Sequence, residues 1–359
     1  MPSPPSNALF PSTVHDRWMD ESYVEGLVSV VIPTYNRAPL LREALASIRE
    51  QTYRPVEVLV ADDGSTDETP HVVEKFDAGA DSGLTVRHLH QPHRGIISTG
   101  RNLGSIHSRG EFLGYLDSDD LLHPEKFTRE VPVLRENAGL DFVWSDTAQF
   151  RGQAPGDGVC FTSPDGTDLL PRYILYPVWH TCSALYRRST CVRLGPWNES
   201  FSGPEDWEYG VRLLSTRPRR RHIPKVLSFY RMHQSGQTRD RYRTWSIIKP
   251  DFDAFCTAEE VLRARGRLGE PRVRTALSIR YLEIAWRAGE LGREKASRTA
   301  FRRAERMAPA GSARWRVALF ENLWTLLGLP PASLLFRKSH NARYKAWIAW
   351  RKHFYRPGR

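Results

Sequence analysis

Long apolar runs are absent from this sequence of 359 residues: no uninterrupted apolar stretch reaches the roughly 18 residues that a membrane-spanning helix needs. The nearest approach, residues 318–336, is interrupted by Glu321, Asn322 and the pair Pro330-Pro331. The first residues, MPSPPSNALFPS, lack the basic region and apolar segment of a secretory signal. We therefore expect a protein that is neither secreted nor membrane-spanning.

Cysteine is also scarce, with four residues at positions 160, 182, 191 and 256. They form no C-x-x-C pair, which argues against a zinc ribbon, and they are too few to staple a chain of this length with disulfides. Such a low cysteine content is typical of a reducing compartment. We therefore expect the protein in the cytoplasm.

The glycine-rich phosphate-binding motifs are missing as well. The sequence has no G-x-x-x-x-G-K-[ST] loop, and no G-x-G-x-x-G opens a helix after the first predicted strand. Gly100 and Gly104 are too widely spaced to form a dinucleotide fingerprint. These absences exclude the common phosphate-binding loops of ATPases and dehydrogenases.

Positive charge is abundant, but only in one part of the chain. Residues 1–244 carry 28 Lys and Arg against 31 Asp and Glu, whereas residues 245–359 carry 24 against 10. The last segment, 312–359, has ten basic residues and one acidic residue among nine aromatic ones. It is predicted either to bind an anionic membrane surface or to pack against the rest of the protein, and nucleic acid is a third and unlikely partner.

Strand-like and helix-like patterns alternate along the first 120 residues. Short runs rich in β-branched residues, typical of parallel strands buried on both faces, are separated by amphipathic stretches. The predicted strands cover residues 27–33, 56–61, 84–89 and 111–116, and the predicted helices 39–48, 68–76 and 98–108. This alternation predicts a twisted, mostly parallel α/β sheet with ligands at the carboxyl ends of its strands.

The remaining sequence divides into a looser middle part and a helical end. The middle part is predicted to mix strands and short helices, including a strand over 181–187 and a helix over 205–214. Beyond residue 245 the pattern is helical, and residues 276–308 resemble a single tetratricopeptide-like hairpin. No second copy follows at a fixed period, so no repeat array is predicted.

Three acidic clusters stand where such a sheet would bring them together: Asp62-Asp63, Asp117-x-Asp119 and Glu205-Asp206. Carboxylates at strand ends can bind a divalent metal through hard oxygen ligands, and the metal can then hold a diphosphate. Each cluster alone equally fits an ordinary turn or the start of a helix. The order of the surrounding motifs is more informative.

Four motifs follow one another along the chain: Pro33-Thr34-Tyr35-Asn36-Arg37, Asp62-Asp63-Gly64-Ser65-Thr66-Asp67, Gly100-Arg101-Asn102-x-Gly104 and Leu116-Asp117-Ser118-Asp119-Asp120. With this series, residues 28–233 resemble the family 2 glycosyltransferases of the GT-A fold. The resemblance implies a Rossmann-like, mostly parallel sheet with an acceptor subdomain. It also implies an inverting, metal-dependent enzyme that uses a nucleotide sugar.

The resemblance assigns seven residues to the nucleotide sugar: Pro33, Thr34, Tyr35, Asp63, Arg101, Asp117 and Ser118. Tyr35 is expected to pack near the base. Asp63 is expected to accept a hydrogen bond from the uracil N–H, a polarity that selects uracil or thymine over cytosine. UDP is therefore the expected nucleotide.

The resemblance also implies a metal site and a general base. Asp119 is expected to be the direct ligand of Mn²⁺ or Mg²⁺, with Asp117 as the other D-x-D carboxylate. His233, in the segment Tyr-Arg-Met-His, is expected to reach the metal or the diphosphate. Asp206 is expected to remove the proton from the acceptor hydroxyl while that hydroxyl attacks the anomeric carbon, so that one displacement inverts configuration.

Three further residues are assigned to the acceptor, namely Trp179, His180 and Glu205. A polar and aromatic wall near residue 180 could hold a sugar, although core packing explains Trp179 almost as well. Asp120 is expected only to orient its turn.

The sequence thus predicts a tail at 1–25, a GT-A catalytic domain at 26–240, a helical extension at 241–311 and a basic aromatic helical segment at 312–359. The predicted activity moves a sugar from a nucleotide-diphosphate sugar to a sugar or lipid-linked acceptor in surface polysaccharide or glycolipid synthesis, at the inner face of the cell membrane. The alternatives are a nucleotidyltransferase on a similar sheet and a catalytically silent scaffold that binds sugar nucleotides or lipids.

Overall fold

The computed structural model describes residues 24–78, 83–152, 154, 158–161, 168–233 and 244–309. The basic aromatic segment 312–359 and nearly all of the tail 1–25 lie outside these residues. The chain forms two compact units, one of Met1–Thr167 with Pro177–Gln234 and one of Asp168–Tyr176 with Ser235–Arg359. The first unit contains the sheet, and the described part of the second is helical.

The first unit is built on a nine-stranded mixed sheet. Eight strands lie in the order β3-β2-β1-β4-β8-β6-β9-β5, and β7 pairs with β6. The first four are parallel, whereas β8 pairs antiparallel with both β4 and β6. The strands are β1 (Val24–Thr34), β2 (Val56–Asp62), β3 (Leu84–His90), β4 (Gly110–Tyr115), β5 (Leu121–Leu122), β6 (Phe142–Phe150), β7 (Gly158–Phe161), β8 (Ala184–Arg187) and β9 (Arg220–Arg231).

The two central parallel strands are buried on both faces, which explains their nearly continuous apolar sequences. All seven residues of β2 are buried, as are the last nine of β1. Two of the polar exceptions, Ser29 and Glu57, satisfy each other: Ser29 donates a hydrogen bond of 2.5 Å to Glu57, and the backbone N–H of Arg109 donates one of 2.6 Å to the same carboxylate. Burial therefore leaves these groups hydrogen-bonded.

Helices and one 3₁₀ turn complete the two units. In the first unit α1 packs its buried residues Leu41, Ala44, Leu45 and Ile48 into the main core beside β1 and β2. The helices are α1 (Ala38–Arg49), α2 (Thr69–Ala78), α3 (Ile97–His107), α4 (Lys126–Glu136), α5 (Leu169–Leu175), α6 (Arg188–Leu194), α7 (Glu205–Ser215), α8 (Trp245–Ala264), α9 (Pro271–Glu290) and α10 (Glu294–Met307), of which α5 and α8 to α10 belong to the second unit.

The topology creates a crevice beside β1. The chain adds β2 and then β3 on one side of β1, and β4 returns to pair with its other side. In open α/β sheets, ligands bind outside the carboxyl ends of strands at such a switch point. The ends of β1 and β4, at Thr34 and Tyr115, mark that position here.

The strands and helices predicted in the first 120 residues are all present, with ends shifted by a few residues. The strand predicted over 181–187 is wrong in its first half, because Thr181–Ser183 form a 3₁₀ turn and β8 starts at Ala184. Ser183 donates hydrogen bonds from its backbone N–H and its hydroxyl to the carbonyl of His180, at 2.9 and 2.8 Å. The buried ammonium of Lys126 binds the Ser183 carbonyl at 2.9 Å, which removes that group from strand pairing.

In the second unit, α9 and α10 correspond to the predicted helical hairpin. Their contact surface includes fully buried alanines, and hydroxyls bridge the helices: Ser278 donates to the carbonyl of Ala304 at 2.8 Å, and Ser297 to that of Ala285 at 2.6 Å. Small residues allow this close approach. Among the described helices of the chain, none is both long and apolar enough to cross a membrane.

Candidate active site

The candidate site lies within the first unit, where β1, β2 and β4 end. The turns after β1 and β2 are tied together: Asn36, in the left-handed region at φ 49°, accepts a hydrogen bond from the Thr66 N–H at 2.8 Å. Its own N–H donates to the Ser65 hydroxyl at 2.9 Å. Asn tolerates this backbone conformation better than most residues, which explains its place after Tyr35.

The predicted residues Pro33, Thr34 and Ser118 are all buried. Pro33 faces Gly100 of α3, where an added Cβ would lie 3.1 Å from the proline ring. The carbonyl of Thr34 accepts the backbone N–H of Asp63 at 2.9 Å. The hydrogen bond between Thr34 and Asp63 therefore holds the turns after β1 and β2 in register.

Asp63 organises the loop that follows β3. Its carboxylate accepts the backbone N–H groups of Arg94 and Gly95, at 3.1 and 2.8 Å, and the side-chain amide of Gln91 at 2.6 Å. Nδ1 of His93 lies 2.9 Å from the same carboxylate. The neighbouring Asp62 is instead fully buried and lies 3.0 Å from Nε2 of His88, so the two acids have different surroundings.

Tyr35 stands at the mouth of the crevice and is stacked on another ring. Its side chain is among the exposed large apolar groups, and its ring lies 3.9 Å from that of His93 with 20° between the planes. His93 thus contacts both Tyr35 and Asp63, the two residues predicted to hold the nucleotide base. No sequence pattern pointed to His93, because it lies in an irregular loop.

Helix α3 shows why the Gly-Arg-Asn-x-Gly motif has this composition. A Cβ on Gly104 would lie 2.3 Å from Val31, so only glycine lets α3 pack this closely on β1. Asn102 pairs with the backbone of Trp197, accepting its N–H at 2.8 Å and donating to its carbonyl at 2.9 Å. The motif therefore connects the sheet to the segment that precedes α7.

Arg101 links two of the acidic clusters. Its guanidinium is buried, donates a hydrogen bond of 2.9 Å to Asp117 and lies 3.6 Å from a carboxylate oxygen of Glu205. Burial alone would raise the pKa of Asp117, but the charge and hydrogen bond of Arg101 together with the charges of His180 and Arg37 outweigh burial, and the pKa falls below its usual value. Asp117 is accordingly ionised near neutral pH.

Asp119 is surrounded by cationic or titratable side chains. Its Oδ2 lies 2.9 Å from Arg37 and 2.8 Å from Nε2 of His233, and the Arg231 guanidinium donates to its backbone carbonyl at 2.8 Å. His233 therefore stands beside the D-x-D turn, as expected. The carboxylates of Asp117 and Asp119 supply hard oxygen ligands and His233 adds a nitrogen, a donor set that fits the Mn²⁺ or Mg²⁺ implied by the resemblance.

The fourth residue of this turn, Asp120, has a different environment. Its Oδ1 accepts the backbone N–H of Arg231 at 3.0 Å, and the side chain is almost fully buried. Burial and the charges of Asp117 and Asp119 raise its pKa well above the usual value. Burial thus disfavours the charged form of Asp120 unless a cation compensates it.

Asp206 has the acid–base character that a catalytic base requires. It lies in the first turn of α7, where it accepts the Trp207 N–H at 2.6 Å, while Glu205 accepts the Gly203 N–H at 2.7 Å. Burial, followed by the charge of Glu205, raises the pKa of Asp206 to about 7. A carboxylate with a pKa near the working pH is well suited to accept a proton.

The two remaining acceptor candidates differ in their surroundings. Trp179 is buried and packs against Phe142 and Trp144, with ring centroids 5.4 and 5.8 Å apart, as a core residue does. His180 is partly exposed and lies against the ring of Tyr230 at 4.5 Å. Of the two, only His180 lies next to the acidic turn, with Nδ1 at 3.5 Å from Asp120.

Comparison with known protein families finds a match that includes these turns. The model of glycosyl transferase family 2 matches residues 29–189, which include the turns after β1, β2 and β4. Over these residues the chain is similar to glycosyl transferase family 2. The general base predicted for the family 2 domain, Asp206, and the predicted ligand His233 lie beyond the matched residues.

Two similar curated proteins are named as glycosyltransferases. An uncharacterized glycosyltransferase of Rickettsia felis is 29% identical over 202 residues, which cover 54% of this chain and 32% of that protein. The uncharacterized glycosyltransferase EpsJ of Bacillus subtilis is 26% identical over 226 residues, or 60% of this chain and 64% of that protein. The chain thus spans about one third of the first relative's length and under two thirds of the second's.

Solved structures identify the fold of the family 2 domain as GT-A. The mannosyltransferase PcManGT from Pyrobaculum calidifontis, solved with GDP-Man and Mn²⁺, has a TM-score of 0.54 at 21% identity and covers 91% of this chain and 92% of its own. Residues 1–349 of S. aureus TarS, solved with UDP, give a TM-score of 0.51 at 20% identity and cover 81% and 89%. At these identities the likeness concerns the fold.

Proposed function

We propose that this chain is an inverting, metal-dependent glycosyltransferase that moves a sugar from a nucleotide-diphosphate sugar to a hydroxyl acceptor. The observation that carries the proposal is the buried guanidinium of Arg101, which lies between the D-x-D residue Asp117 and the Glu205-Asp206 pair. Arg101 therefore lies beside both the residues that would hold the donor and Asp206, a carboxylate whose pKa is about 7. A transfer reaction needs these two elements next to each other.

On the donor side, the crevice beside β1 would hold the nucleotide. Tyr35 offers an exposed ring at its mouth, and Asp63 offers a carboxylate that accepts N–H groups. A carboxylate in this place favours bases with a ring N–H, as in uracil, and disfavours cytosine, which has none. Among relatives of this fold, TarS was solved with UDP and PcManGT with GDP-Man, whose bases both carry a ring N–H.

Asp119 and Asp117, with His233 beside them, would hold the divalent metal, which when bound offsets the charge that develops on the leaving diphosphate. Asp206 accepts the proton of the acceptor hydroxyl. Glu205 raises the pKa of Asp206 and keeps its own carboxylate near Arg101. The acceptor would enter beside His180 and Glu205, and the proposed acceptor site does not include the buried Trp179.

A binding and turnover screen of the full chain tests the proposal. With Mn²⁺ present, UDP and UDP-sugars should stabilise the protein against thermal unfolding more than CDP does, and a sugar acceptor should release nucleoside diphosphate. Asp119→Ala should remove the metal-dependent part of UDP binding. Asp253→Ala, which changes an exposed acid in the second unit that pairs with Lys249, serves as the matched control and should bind normally.

The same screen separates a silent scaffold from an enzyme. A scaffold would bind UDP in the presence of metal but release no diphosphate with any acceptor, whereas a protein without this activity would bind none of the nucleotides.

The setting we propose is the assembly of a surface polysaccharide or glycolipid by a cytoplasmic protein at the inner face of the membrane. It rests on the family and on the basic segment 312–359.

A further inference from the structure

A second set of potential metal ligands lies behind the D-x-D turn. The carboxylate of Asp120, the imidazole of His180 and the thiol of Cys182 converge, and one ligand atom from each lies within 4.8 Å of the other two. Asp120 and Cys182 are each 1% exposed. The cluster lies inside the first unit and combines oxygen, nitrogen and sulfur donors, unlike the D-x-D carboxylates.

The distances are close to those of a tetrahedral metal site. Nδ1 of His180 lies 3.1 Å from Sγ of Cys182 and 3.5 Å from Oδ2 of Asp120. Zinc bonded to nitrogen and oxygen at about 2.1 Å and to sulfur at about 2.3 Å needs ligand atoms about 3.4 to 3.6 Å apart. Shifts of a few tenths of an ångström would therefore bring the measured nitrogen–sulfur and nitrogen–oxygen distances to those of a zinc site.

The carboxylate of Asp120 provides an independent sign of a missing partner. Its Oδ2 is a buried oxygen that accepts no regular N–H or O–H hydrogen bond among the described residues: Nδ1 of His180 is 3.5 Å away, and the carboxyl's other side-chain neighbour is the weak thiol donor of Cys182. Such groups are rare in folded proteins and call for a specific explanation. A cation bound between Asp120, His180 and Cys182 would supply the partner.

The surroundings already orient the ligands. The other oxygen of Asp120 accepts the backbone N–H of Arg231 at 3.0 Å, and the carbonyl of His180 accepts the N–H and hydroxyl of Ser183. Outer contacts of this kind fix ligand geometry in natural metal sites. Asp119 is engaged with Arg37 and His233 instead, so the two ligand sets of the turn are distinct.

We propose that Asp120, His180 and Cys182 form a binding site for one divalent transition-metal ion of the zinc class, separate from the D-x-D site. The mixed donors select zinc over Mg²⁺ or Mn²⁺, which prefer oxygen. On binding, the thiol proton of Cys182 and any proton on Asp120 leave to solvent, and the thiolate and the carboxylate bond to the metal. The ion would fasten the D-x-D turn to the 3₁₀ turn Thr181–Ser183 and so stabilise the folded first unit.

Cobalt(II) provides a visible probe of this site that does not depend on enzymatic activity. The full chain, stripped of metal with a chelator, is titrated with Co²⁺. A sulfur-to-cobalt charge-transfer band in the near ultraviolet should appear and saturate at one equivalent, and Zn²⁺ should abolish it. The band should be lost in Cys182→Ser and kept in Cys191→Ser, which changes another fully buried cysteine of the same unit.

Two further variants keep the test decisive. Asp119→Ala should keep the band, which separates this site from the D-x-D site, whereas Asp120→Asn should weaken Co²⁺ binding at least tenfold even if Cys182→Ser fails to fold. A wild-type protein without a sulfur band at saturating Co²⁺, or a band that survives in Cys182→Ser, would overturn the proposal. The outcome is independent of the glycosyltransferase assay, because it measures the ion alone.

Discussion

At the scale of single residues, burial and neighbouring charges give the acids of the candidate site different protonation states. At Asp117 burial is outweighed by Arg101 together with the other cationic neighbours and the pKa falls, whereas at Asp206 burial is reinforced by Glu205 and the pKa rises to about 7. Carboxyl groups whose surroundings push their pKa values apart are typical of acid–base sites. The assignment of Asp206 as base therefore has a measurable pH signature.

Asp206→Asn should lower the rate of transfer by roughly 10²-fold or more while leaving UDP binding nearly unchanged, because a general base acts chiefly in the transition state. In the wild type, the base must be deprotonated, so kcat/KM should rise with pH and level off above about 7. Transfer assays across pH and calorimetric titration with UDP and Mn²⁺ check both parts.

Glu205→Gln is the matched control for that pH profile. Removing the charge of Glu205 removes the second cause of the raised pKa, so the rise in kcat/KM should move to lower pH while activity persists. If Asp206→Asn retained transfer within a few-fold, or if the Glu205→Gln profile did not move, the base would have to be sought in another residue.

His93 occupies both contacts predicted for the base, since its ring stacks on Tyr35 at 3.9 Å and its Nδ1 lies 2.9 Å from the Asp63 carboxylate. A nucleotide would have to displace His93 to reach these contacts. The apparent affinity for UDP therefore falls in proportion to the fraction of molecules in which His93 leaves the site open. His93→Ala should therefore strengthen UDP binding, by roughly tenfold if nine-tenths of the molecules are closed.

His71→Ala, an exposed histidine on α2, is the control and should leave UDP affinity unchanged. Calorimetry with UDP and Mn²⁺ measures all three proteins. Weaker UDP binding in His93→Ala would show instead that the imidazole contacts the bound base directly.

At the scale of elements, the parallel half of the sheet was predicted because β1, β2 and β4 are mostly buried and apolar, although the edge strand β3 is largely exposed. The mixed half, from β8 to β5, was not predicted in detail. Strand β9, RRHIPKVLSFYR, mixes exposed, intermediate and buried residues in no regular order and shifts register against β6, so its sequence has no clear period. The convergence of Asp120, His180 and Cys182 was also invisible, because it joins positions about 60 residues apart through the sheet.

Gly104→Ala tests the contact between α3 and β1. The added methyl would lie 2.3 Å from Val31, so the helix must shift, and overpacking of this kind costs about 1 to 3 kcal/mol of the free energy of unfolding. Chemical denaturation measures the loss. Because α3 carries Arg101 and Asn102, transfer activity should fall as well.

Gly114→Ala is the control for this substitution, since its added methyl would meet its nearest neighbour, Leu185, at an ordinary 3.7 Å. It should unfold close to wild type. Equal stability of the Gly104 and Gly114 variants would show that α3 packs less tightly on β1 than the 2.3 Å contact requires.

At the scale of the whole molecule, charge is separated along the chain, with a net of −3 over residues 1–244 and +14 over 245–359. We expect the segment 312–359 to attach the protein to anionic membranes, because each Lys or Arg near such a surface contributes about 1 kcal/mol. The full chain should sediment with vesicles that contain an anionic lipid and not with neutral ones, and less so as salt rises. Binding that ignores vesicle charge would contradict this expectation.

A chain ending near residue 311 is the second arm of that experiment. If it remains folded and active but no longer sediments, the segment is an attachment element. If it unfolds or becomes insoluble, the aromatic residues of the segment instead pack against the rest of the protein.

The position of Arg101 between Asp117 and Glu205 has a consequence for the timing of the reaction. The negative charge of Asp117 is one of the causes that raise the pKa of Asp206, so a cation that neutralises Asp117 must lower that pKa. Thermodynamic reciprocity then requires that loss of the Asp206 proton strengthen cation binding by the same factor. Binding of the metal would thus favour the deprotonated form of Asp206, and a larger fraction of the base would carry a proton in the metal-free protein.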